Sequence, residues 1–193
     1  MIILITQEIG IKNEMVLLQE MFREGLSRLH VRKPGMNREG LREWLQGFDA
    51  EFHTRMVIQD HFDLLEEFNL GGRHLKESMR NSDLPEVYPF EMTGGLISTA
   101  VHDPDSLEKV TTFDYAFLSP VFDSISKDKY HGRKFHLSDP PLPVFALGGI
   151  TAENVGALPR MGYSGAGVLG SIWNREDPIK EFIKIREASE NIF

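Results

Sequence analysis

Cysteine is absent from the 193-residue sequence, which excludes disulfide bonds, thiolate nucleophiles, iron–sulfur clusters and zinc–thiolate sites. Long hydrophobic runs are also missing, because no segment approaches the roughly eighteen consecutive apolar residues of a membrane span. The apolar run at the amino terminus has no basic stretch before it, as a signal peptide would. We therefore expect a cytoplasmic protein that is neither secreted through a signal peptide nor inserted into a membrane.

Positive charge is in short supply, because 21 Lys and Arg residues face 29 Asp and Glu residues for a net charge of −8. The molecule as a whole should repel polyanions, which argues against nucleic acid or an anionic membrane as a partner. Residues 127–134 are the exception, with four fixed positive charges and one negative charge. We interpret this loop as a flap that neutralises a small phosphorylated substrate. The alternative is a solvated surface loop.

Short apolar runs rich in Ile, Val, Leu and Phe recur along the whole chain. They are too short for helices, and their continuous apolar pattern is typical of strands that are covered on both faces, as in a parallel sheet. The predicted strands cover residues 2–5, 29–31, 56–58, 74–75, 96–98, 115–118, 144–147 and 167–169.

Helical signals lie between most of these strands. Capping side chains, two of them in Asp-Pro pairs, mark the helix starts, and glycines that can adopt a left-handed conformation mark two of the ends. The predicted starts are Asn37, Asp103, Thr151 and Asp177, and the predicted ends of the first and third helices are Gly25 and Gly71.

Alternation of strand and helix predicts an α/β fold with a parallel sheet, either an open doubly wound sheet or a closed (β/α)₈ barrel. Eight repeats favour the closed TIM barrel, formed by residues 1–193 as a single domain. The chain lies at the low end of the roughly 200 residues that such barrels need, so it is a minimal one.

The active site of such a barrel lies at the carboxyl ends of its strands. After the last two predicted strands come the turns that contain Gly148, Gly149 and Gly170-Ser171. Glycine lets the backbone approach a ligand, and amides at a helix start favour anions, so we interpret these turns as a phosphate cradle. The alternative is that the glycines only make tight turns or relieve crowding.

Polar side chains follow several other predicted strands. Arg32 has the rigid fork that suits phosphate oxygens, and Asp60 could hold Mg²⁺ together with a substrate phosphate. An ion pair between these two residues, or helix capping by Asp60, is the alternative. His102 is placed for acid–base or hydrogen-bonding work, whereas His30 within its strand is either packed or directed into the site.

Motifs along nearly the whole chain resemble the thiamine-phosphate synthase and TenI superfamily, which consists of (β/α)₈ barrels of thiamine biosynthesis. The most specific element is the Ser-x-Ser-Lys sequence that follows a Pro-x-aromatic turn. The matching segments are Leu-His-Val-Arg-Lys-Pro at 29–34, Val-Ile-Gln-Asp at 57–60, Gly-Arg-His-Leu at 72–75, Tyr-Ala-Phe-Leu-Ser-Pro-Val-Phe at 115–122 with Ser124-x-Ser126-Lys127, and the glycine turns at 145–150 and 165–172.

The resemblance implies an enzyme that joins hydroxymethylpyrimidine diphosphate to thiazole phosphate and releases pyrophosphate with the help of Mg²⁺. It implies that Arg32 and Lys127 hold pyrophosphate and that Asp60 binds Mg²⁺. The substrate-binding residues that it implies are His30, Gln59, Ser124, Ser126, Gly149, Gly170 and Ser171, with His102 as a further catalytic candidate. The oligomeric state stays open, a homo-oligomer included.

Four residues depart from the patterns of the superfamily. Pro34, Met79 and Ala100 stand where the synthase has a lysine, a metal carboxylate and a serine, and Pro120 stands where the TenI tautomerase has a catalytic histidine. Lys33 and Glu77 are the nearest candidates to replace the first two groups. Three hypotheses follow: a synthase, which leads; a TenI-like thiazole tautomerase with His102 as acid–base group; and a non-catalytic, regulatory thiazole-phosphate-binding protein.

Overall fold

Eight parallel strands close into a barrel in the order of the sequence, from β1 next to β2 round to β8 next to β1. The computed structural model describes residues 1–80, 94–123, 132–190 and 192. The predicted (β/α)₈ TIM barrel is therefore confirmed. The strands are β1 (Ile2–Ile5), β2 (Arg28–Val31), β3 (Met56–Ile58), β4 (Gly72–Leu75), β5 (Leu96–Val101), β6 (Tyr115–Leu118), β7 (Val144–Leu147) and β8 (Gly165–Val168).

Strand β8 begins two residues earlier than its apolar residues predict, because small residues are required there by the interior of the barrel. A Cβ atom on Gly167 would lie 2.8 Å from Cε1 of Phe117, and one on Gly165 would lie 2.5 Å from Cε1 of Phe145. The large rings of β6 and β7 thus occupy the space that side chains of β8 would need.

Helices on the outside follow most of the strands. The α-helices are α1 (Glu14–Arg23), α2 (Arg38–Gln46), α3 (Leu64–Phe68), α4 (Glu77–Arg80), α5 (Gly170–Trp173) and α6 (Pro178–Ser189). Short 3₁₀ helices cover Ala50–Arg55, Pro104–Val110, Val155–Ala157 and Pro159–Met161.

Three of the predicted caps are confirmed by hydrogen bonds at the start of a helix. The side chains of Asn37, Asp103 and Asp177 accept from the backbone N–H groups of Gly40, Asp105 and Lys180. The helix after Asp103 is of the 3₁₀ type rather than the α type.

Thr151 and Gly71 do not have the predicted roles. The segment after Thr151 forms two short 3₁₀ turns, and the backbone N–H of Thr151 donates to the side chain of Asn154. Asn69 with φ of 51° ends α3 in place of Gly71, whereas Gly25, with φ of 91°, follows the end of α1 as predicted. A Cβ on Gly71 would lie 2.2 Å from the carbonyl oxygen of Thr54, so close packing explains this glycine.

The main hydrophobic core lies between the strands and the surrounding helices, and a smaller apolar cluster fills the barrel itself. The inner cluster consists of Ile3, Tyr115, Phe117 and Phe145. The indole N–H of Trp173 in α5 donates to the carbonyl oxygen of Ile5 at 2.7 Å. This hydrogen bond links the helix that follows β8 to the end of β1. Within the described ranges, no helix has both the length and the apolar character that crossing a bilayer requires.

Candidate active site

A cavity of about 410 Å³ opens at the carboxyl ends of the strands. The inner cluster fills the barrel below, so this end offers the space for a small ligand. Its lining includes seven of the residues predicted for the site, namely His30, Arg32, Gln59, His102, Gly149, Gly170 and Ser171. Asp60 does not line it.

One side of the cavity, here called the glycine side, consists of Gly148, Gly149, Gly170 and Ser171. The first two have φ of 101° and 66°, which is left-handed backbone that favours glycine. A Cβ on Gly149 would lie 2.2 Å from the carbonyl oxygen of Asp123. The turn therefore owes its shape to the lack of side chains, and its backbone is open to a ligand.

Ser171 completes the glycine side at the start of α5. The residue is buried and lines the cavity. Asn154 supports the opposite turn, because its Nδ2 donates to the carbonyl oxygen of Gly149 at 2.8 Å. A phosphate group on this side would meet a hydroxyl donor and glycine backbone with no carboxylate among the four residues.

Across the mouth lies a second group, here called the cation side, which consists of Arg32, Gln59 and Lys76. Strands β2, β3 and β4, which lead to it, stand opposite β6, β7 and β8 in the closed order of eight. Nη1 of Arg32 donates to Oε1 of Glu8 at 2.5 Å. Gln59 is buried. It follows β3, which lies between the strands that lead to Arg32 and Lys76.

Lys76 is a site residue that the sequence analysis missed. Its Nζ donates to both carboxylate oxygens of Asp60, at 2.7 Å and 2.9 Å. The signal that could have found it is strand alternation, because Lys76 is two residues beyond His74 and so continues the same inward face past the end of β4.

Asp60 was predicted to bind Mg²⁺, and its surroundings do not fit that role. Both of its oxygens are engaged by the ammonium group of Lys76. Across the described residues there is no group of three or more His, Cys, Asp and Glu side chains that could hold a metal ion. The two alternatives for Asp60 also differ from what is found, since its partner is Lys76 and not Arg32, and it does not cap α3.

Lys33 does not replace the family's lysine, whose position is occupied here by Pro34. Its side chain is 1% exposed and points away from the cavity, where Nζ lies 2.7 Å from both oxygens of Glu14 and donates to the carbonyl oxygen of Gln7 at 2.8 Å. Glu77 does line the cavity, but its carboxylate pairs with Arg80 at 3.7 Å.

Ala100 lines the cavity at the position of the family's serine, and the neighbouring hydroxyl groups do not replace it. Thr99 Oγ1 donates to the carbonyl oxygen of Leu75 at 2.8 Å. Ser98 lies deeper in the barrel, where its Oγ is 3.0 Å from Nδ1 of His74.

The floor of the cavity carries two buried histidines. Nε2 of His30 is 2.7 Å from the hydroxyl of Tyr115, and the rings of His30 and His74 meet edge to face with centroids 5.3 Å apart. Burial first, and then the charge of His74 and Arg28, hold the pKa of His30 well below its usual range. In the described structure Nδ1 of His30 is buried without a hydrogen-bond partner.

Burial, followed by the charges of Arg80, Lys76 and Arg32, lowers the pKa of His74 to about 4. Both histidines are therefore neutral at pH 7, and they bring hydrogen-bonding capacity to the floor without adding positive charge.

His102 stands at the rim of the cavity. Its Nδ1 donates to the carbonyl oxygen of Ser119 at 3.0 Å, and the Ser119 hydroxyl is 3.1 Å from the same nitrogen. The ring is exposed to solvent while Ser119 is buried. The contact with Ser119 holds the His102 ring at the rim, and its acid–base role stays a prediction.

Ser124, Ser126 and Lys127 lie outside the described residues, so their predicted roles stay predictions. The described residues on either side of them are joined, because the N–H of Gly132 donates to Oδ1 of Asp123 at 2.8 Å. The N–H of Arg133 also donates to the carbonyl oxygen of Pro120 at 3.1 Å. Gly149 packs against this junction.

Several solved structures contain a barrel that is similar to this one. A thiamine phosphate pyrophosphorylase from Bacteroides thetaiotaomicron is 27% identical, with a TM-score of 0.78 over 98% of this chain and 97% of the other. One from Pyrococcus furiosus is 18% identical, with a TM-score of 0.78 over 100% and 96%. The (S)-3-O-geranylgeranylglyceryl phosphate synthase of Thermoplasma acidophilum, at 13% identity and a TM-score of 0.63 over 97% and 91%, shares the fold.

The sequence itself matches a family profile as well. Residues 2–172, which include every strand of the barrel and both sides of the cavity, match the profile described as thiamine monophosphate synthase, TMP-TENI. The chain therefore belongs to the thiamine monophosphate synthase family.

Proposed function

We propose that this protein catalyses the thiamine-phosphate synthase reaction, in which hydroxymethylpyrimidine diphosphate and thiazole phosphate are joined. The observation that supports the proposal is one cavity with two unlike sides, one of glycine backbone and one that carries cationic side chains. Two phosphorylated substrates that react with each other need such an arrangement, because it holds one anion at each side and leaves the reacting atoms between them.

In the proposed reaction the thiazole phosphate binds at the glycine side, and the diphosphate of the pyrimidine binds at the cation side. The carbon–oxygen bond to the diphosphate breaks, and its electron pair leaves with pyrophosphate. The lone pair of the thiazole nitrogen then forms the new bond to the pyrimidine methylene carbon. Arg32 and Lys76 stabilise the charge that develops on the leaving group.

This chemistry needs positioning and charge neutralisation more than it needs a base. The neutral His30 and His74 of the floor suit that requirement, since they can hydrogen-bond a substrate without attracting an anion away from either side. We assign Gln59 to the pyrimidine end, Lys127 to pyrophosphate, and Ser124 and Ser126 to the phosphorylated substrates. No step of the reaction is assigned to a metal, since Asp60 is paired with Lys76.

Incubation with both substrates tests the proposal, with the product converted to fluorescent thiochrome. We expect thiamine phosphate to form, and we expect Arg32→Gln to lower kcat/KM by about 100-fold because a fork of donors to the leaving group is lost. The matched control is Arg23→Gln, since Arg23 pairs with Asp49 at 3.4 Å on the outer surface. An absence of product at high enzyme concentration would exclude the synthase reaction.

Thiazole tautomerisation is the second candidate, and the His102–Ser119 pair at the rim favours it. A tautomerase needs an acid–base group beside the bound thiazole and no second substrate. This activity would be assigned if the protein converted thiazole phosphate without a second substrate and His102→Gln did not. Full activity of His102→Gln would remove His102 from the mechanism, and thiazole-phosphate binding without turnover in either assay would assign a non-catalytic role.

A further inference from the structure

The pairing of Lys76 with Asp60 at the cation side changes what this cavity needs in order to bind a diphosphate. We infer that the ammonium group of Lys76 takes the place of a divalent cation, so that the cation side binds pyrophosphate without a metal ion. The inference rests on the proposed function, which places a diphosphate at this side.

The first argument is the geometry of Asp60. Mg²⁺ requires oxygen ligands at about 2.0–2.1 Å in a nearly octahedral arrangement. Both oxygens of Asp60 instead accept from Nζ of Lys76, at 2.7 Å and 2.9 Å. The ammonium group therefore already neutralises this carboxylate, and its charge opposes the approach of a divalent cation to the same group.

The second argument is the number of donors that remain. An ammonium group has three N–H donors, and Asp60 accepts from at most two of them. A guanidinium group has five donors, and Glu8 accepts from one nitrogen of Arg32. Each of the two side chains is thus held by its carboxylate and still has free N–H donors. Because Lys76 and Arg32 both line the cavity, these donors are available to phosphate oxygens.

The third argument is the electrostatic potential at the floor. Buried His74 feels the positive charges of Arg80, Lys76 and Arg32, which together with burial lower its pKa to about 4. These three cations therefore raise the electrostatic potential at His74, although each of them is also paired with a carboxylate. Fixed positive charge of this kind is what a divalent ion would otherwise supply to a leaving diphosphate.

Calorimetric titration of inorganic pyrophosphate into the whole protein tests the inference without any turnover. We expect dissociation constants within about threefold of each other in EDTA and in millimolar Mg²⁺, since the donors are part of the chain. In EDTA, Lys76→Met should bind pyrophosphate about tenfold more weakly. The matched control is Lys184→Met, because Lys184 forms a similar lysine–carboxylate pair with Glu181 at 3.4 Å on α6.

A second pair of variants separates loss of a donor from loss of folding. Lys76→Met leaves the carboxylate of Asp60 without its ammonium partner, so added Mg²⁺ should restore part of the pyrophosphate affinity. In the double variant Lys76→Met/Asp60→Asn it should restore none. Circular dichroism of each variant verifies that the barrel is folded.

Three results would overturn the inference: pyrophosphate binding to the wild-type protein that requires Mg²⁺, unchanged affinity of Lys76→Met in EDTA, or no pyrophosphate binding under either condition. These results differ from a failure of the proposed function. Metal-independent pyrophosphate binding without thiamine phosphate formation keeps the inference and removes the synthase, whereas product formation that depends on Mg²⁺ does the reverse.

Discussion

The glycine side and the cation side of one cavity are built on different principles. The glycine side takes its shape from backbone, with left-handed φ at Gly148 and Gly149 and with contacts that leave no room for a Cβ. The cation side takes its properties from Arg32 and Lys76, whose side chains are held by carboxylates. Backbone geometry tolerates few substitutions, whereas a charged side chain can be exchanged for another.

Two of the four departures from the family follow this division. Pro34 and Met79 both replace groups that would serve the cation side, and each glycine-turn residue that the resemblance requires is in place. Two departures thus fall on the cation side, whereas the glycine turns keep the residues of the family.

Gly149→Ala should show how strongly the backbone constrains the glycine side. We expect the free energy of unfolding to fall by about 2–5 kcal/mol, because the new Cβ combines left-handed strain with a steric conflict. The conflict is with the carbonyl oxygen of Asp123, 2.2 Å away. Urea unfolding followed by circular dichroism measures the change.

Gly156→Ala is the matched control, because the nearest atom to its added Cβ is Cδ1 of Ile192 at 3.8 Å. We expect a change of less than about 1 kcal/mol there. Equal effects of the two substitutions would contradict the view that backbone constraint sets the glycine side apart.

Ser171→Asp should separate the two sides by charge. A carboxylate at this buried position repels a phosphate, so we expect thiazole-phosphate affinity to fall about 100-fold, or about 2.7 kcal/mol. Pyrophosphate affinity, which belongs to the cation side, should change by less than about threefold, because Ser171 lies on the other side of the cavity mouth and solvent screens the new charge. Calorimetry with each ligand measures both constants.

Ser171→Ala controls for the loss of the hydroxyl group alone, and we expect a decrease of only a few-fold. Equal losses of both ligands in Ser171→Asp would mean that the sides do not act separately. Unchanged thiazole-phosphate binding would mean that the glycine side is not a phosphate site.

Acid should lower the free energy of unfolding through His74, which lies beneath the cation side. His74 has a pKa of about 4 in the folded protein, against about 6.5 in the unfolded chain. Between these values the unfolded chain binds more protons, so the contribution of His74 is present above pH 6.5 and is lost as the pH falls toward 4. Buried His30, with its lowered pKa, changes stability in the same direction.

His74→Asn removes this titration while keeping a group that can hydrogen-bond Ser98. Between pH 7 and pH 5, its unfolding free energy should change by about 1–2 kcal/mol less than that of the wild type. His136→Asn is the control, since His136 is exposed. An identical pH dependence in all three proteins would show that His74 is not buried in its neutral form.

Most strand positions and the closed barrel followed from the sequence because most strands are continuous apolar runs covered on both faces. Strands β4 and β5 are longer than predicted, because polar residues interrupt their apolar runs. Strand β8 begins earlier than predicted, since Gly165 and Gly167 resemble a turn and are small because of the large rings of β6 and β7. The segment after Thr151 was predicted as one helix and forms two short turns, which a capping residue alone does not determine.

For the site, seven predicted residues do line the cavity, because strand order brings all carboxyl ends together. The surroundings of Asp60 could not be predicted, since its partner Lys76 is 16 positions away and follows a different strand. The direction of Lys33 depended in the same way on Glu14, which is 19 positions away in α1. Long-range ion pairs of this kind have no local sequence signal.

Trp173 links the closure of the barrel to the glycine side. Its indole N–H is fixed to the carbonyl oxygen of Ile5, and it lies in the same short helix as Gly170 and Ser171. The other tryptophan, Trp44, belongs to α2, where its ring faces Nζ of Lys33 at 5.7 Å and does not line the cavity. The chain thus contains its own fluorescent reporter beside the glycine side and an internal reference away from it, so a ligand that binds at the glycine side can be followed optically without a label.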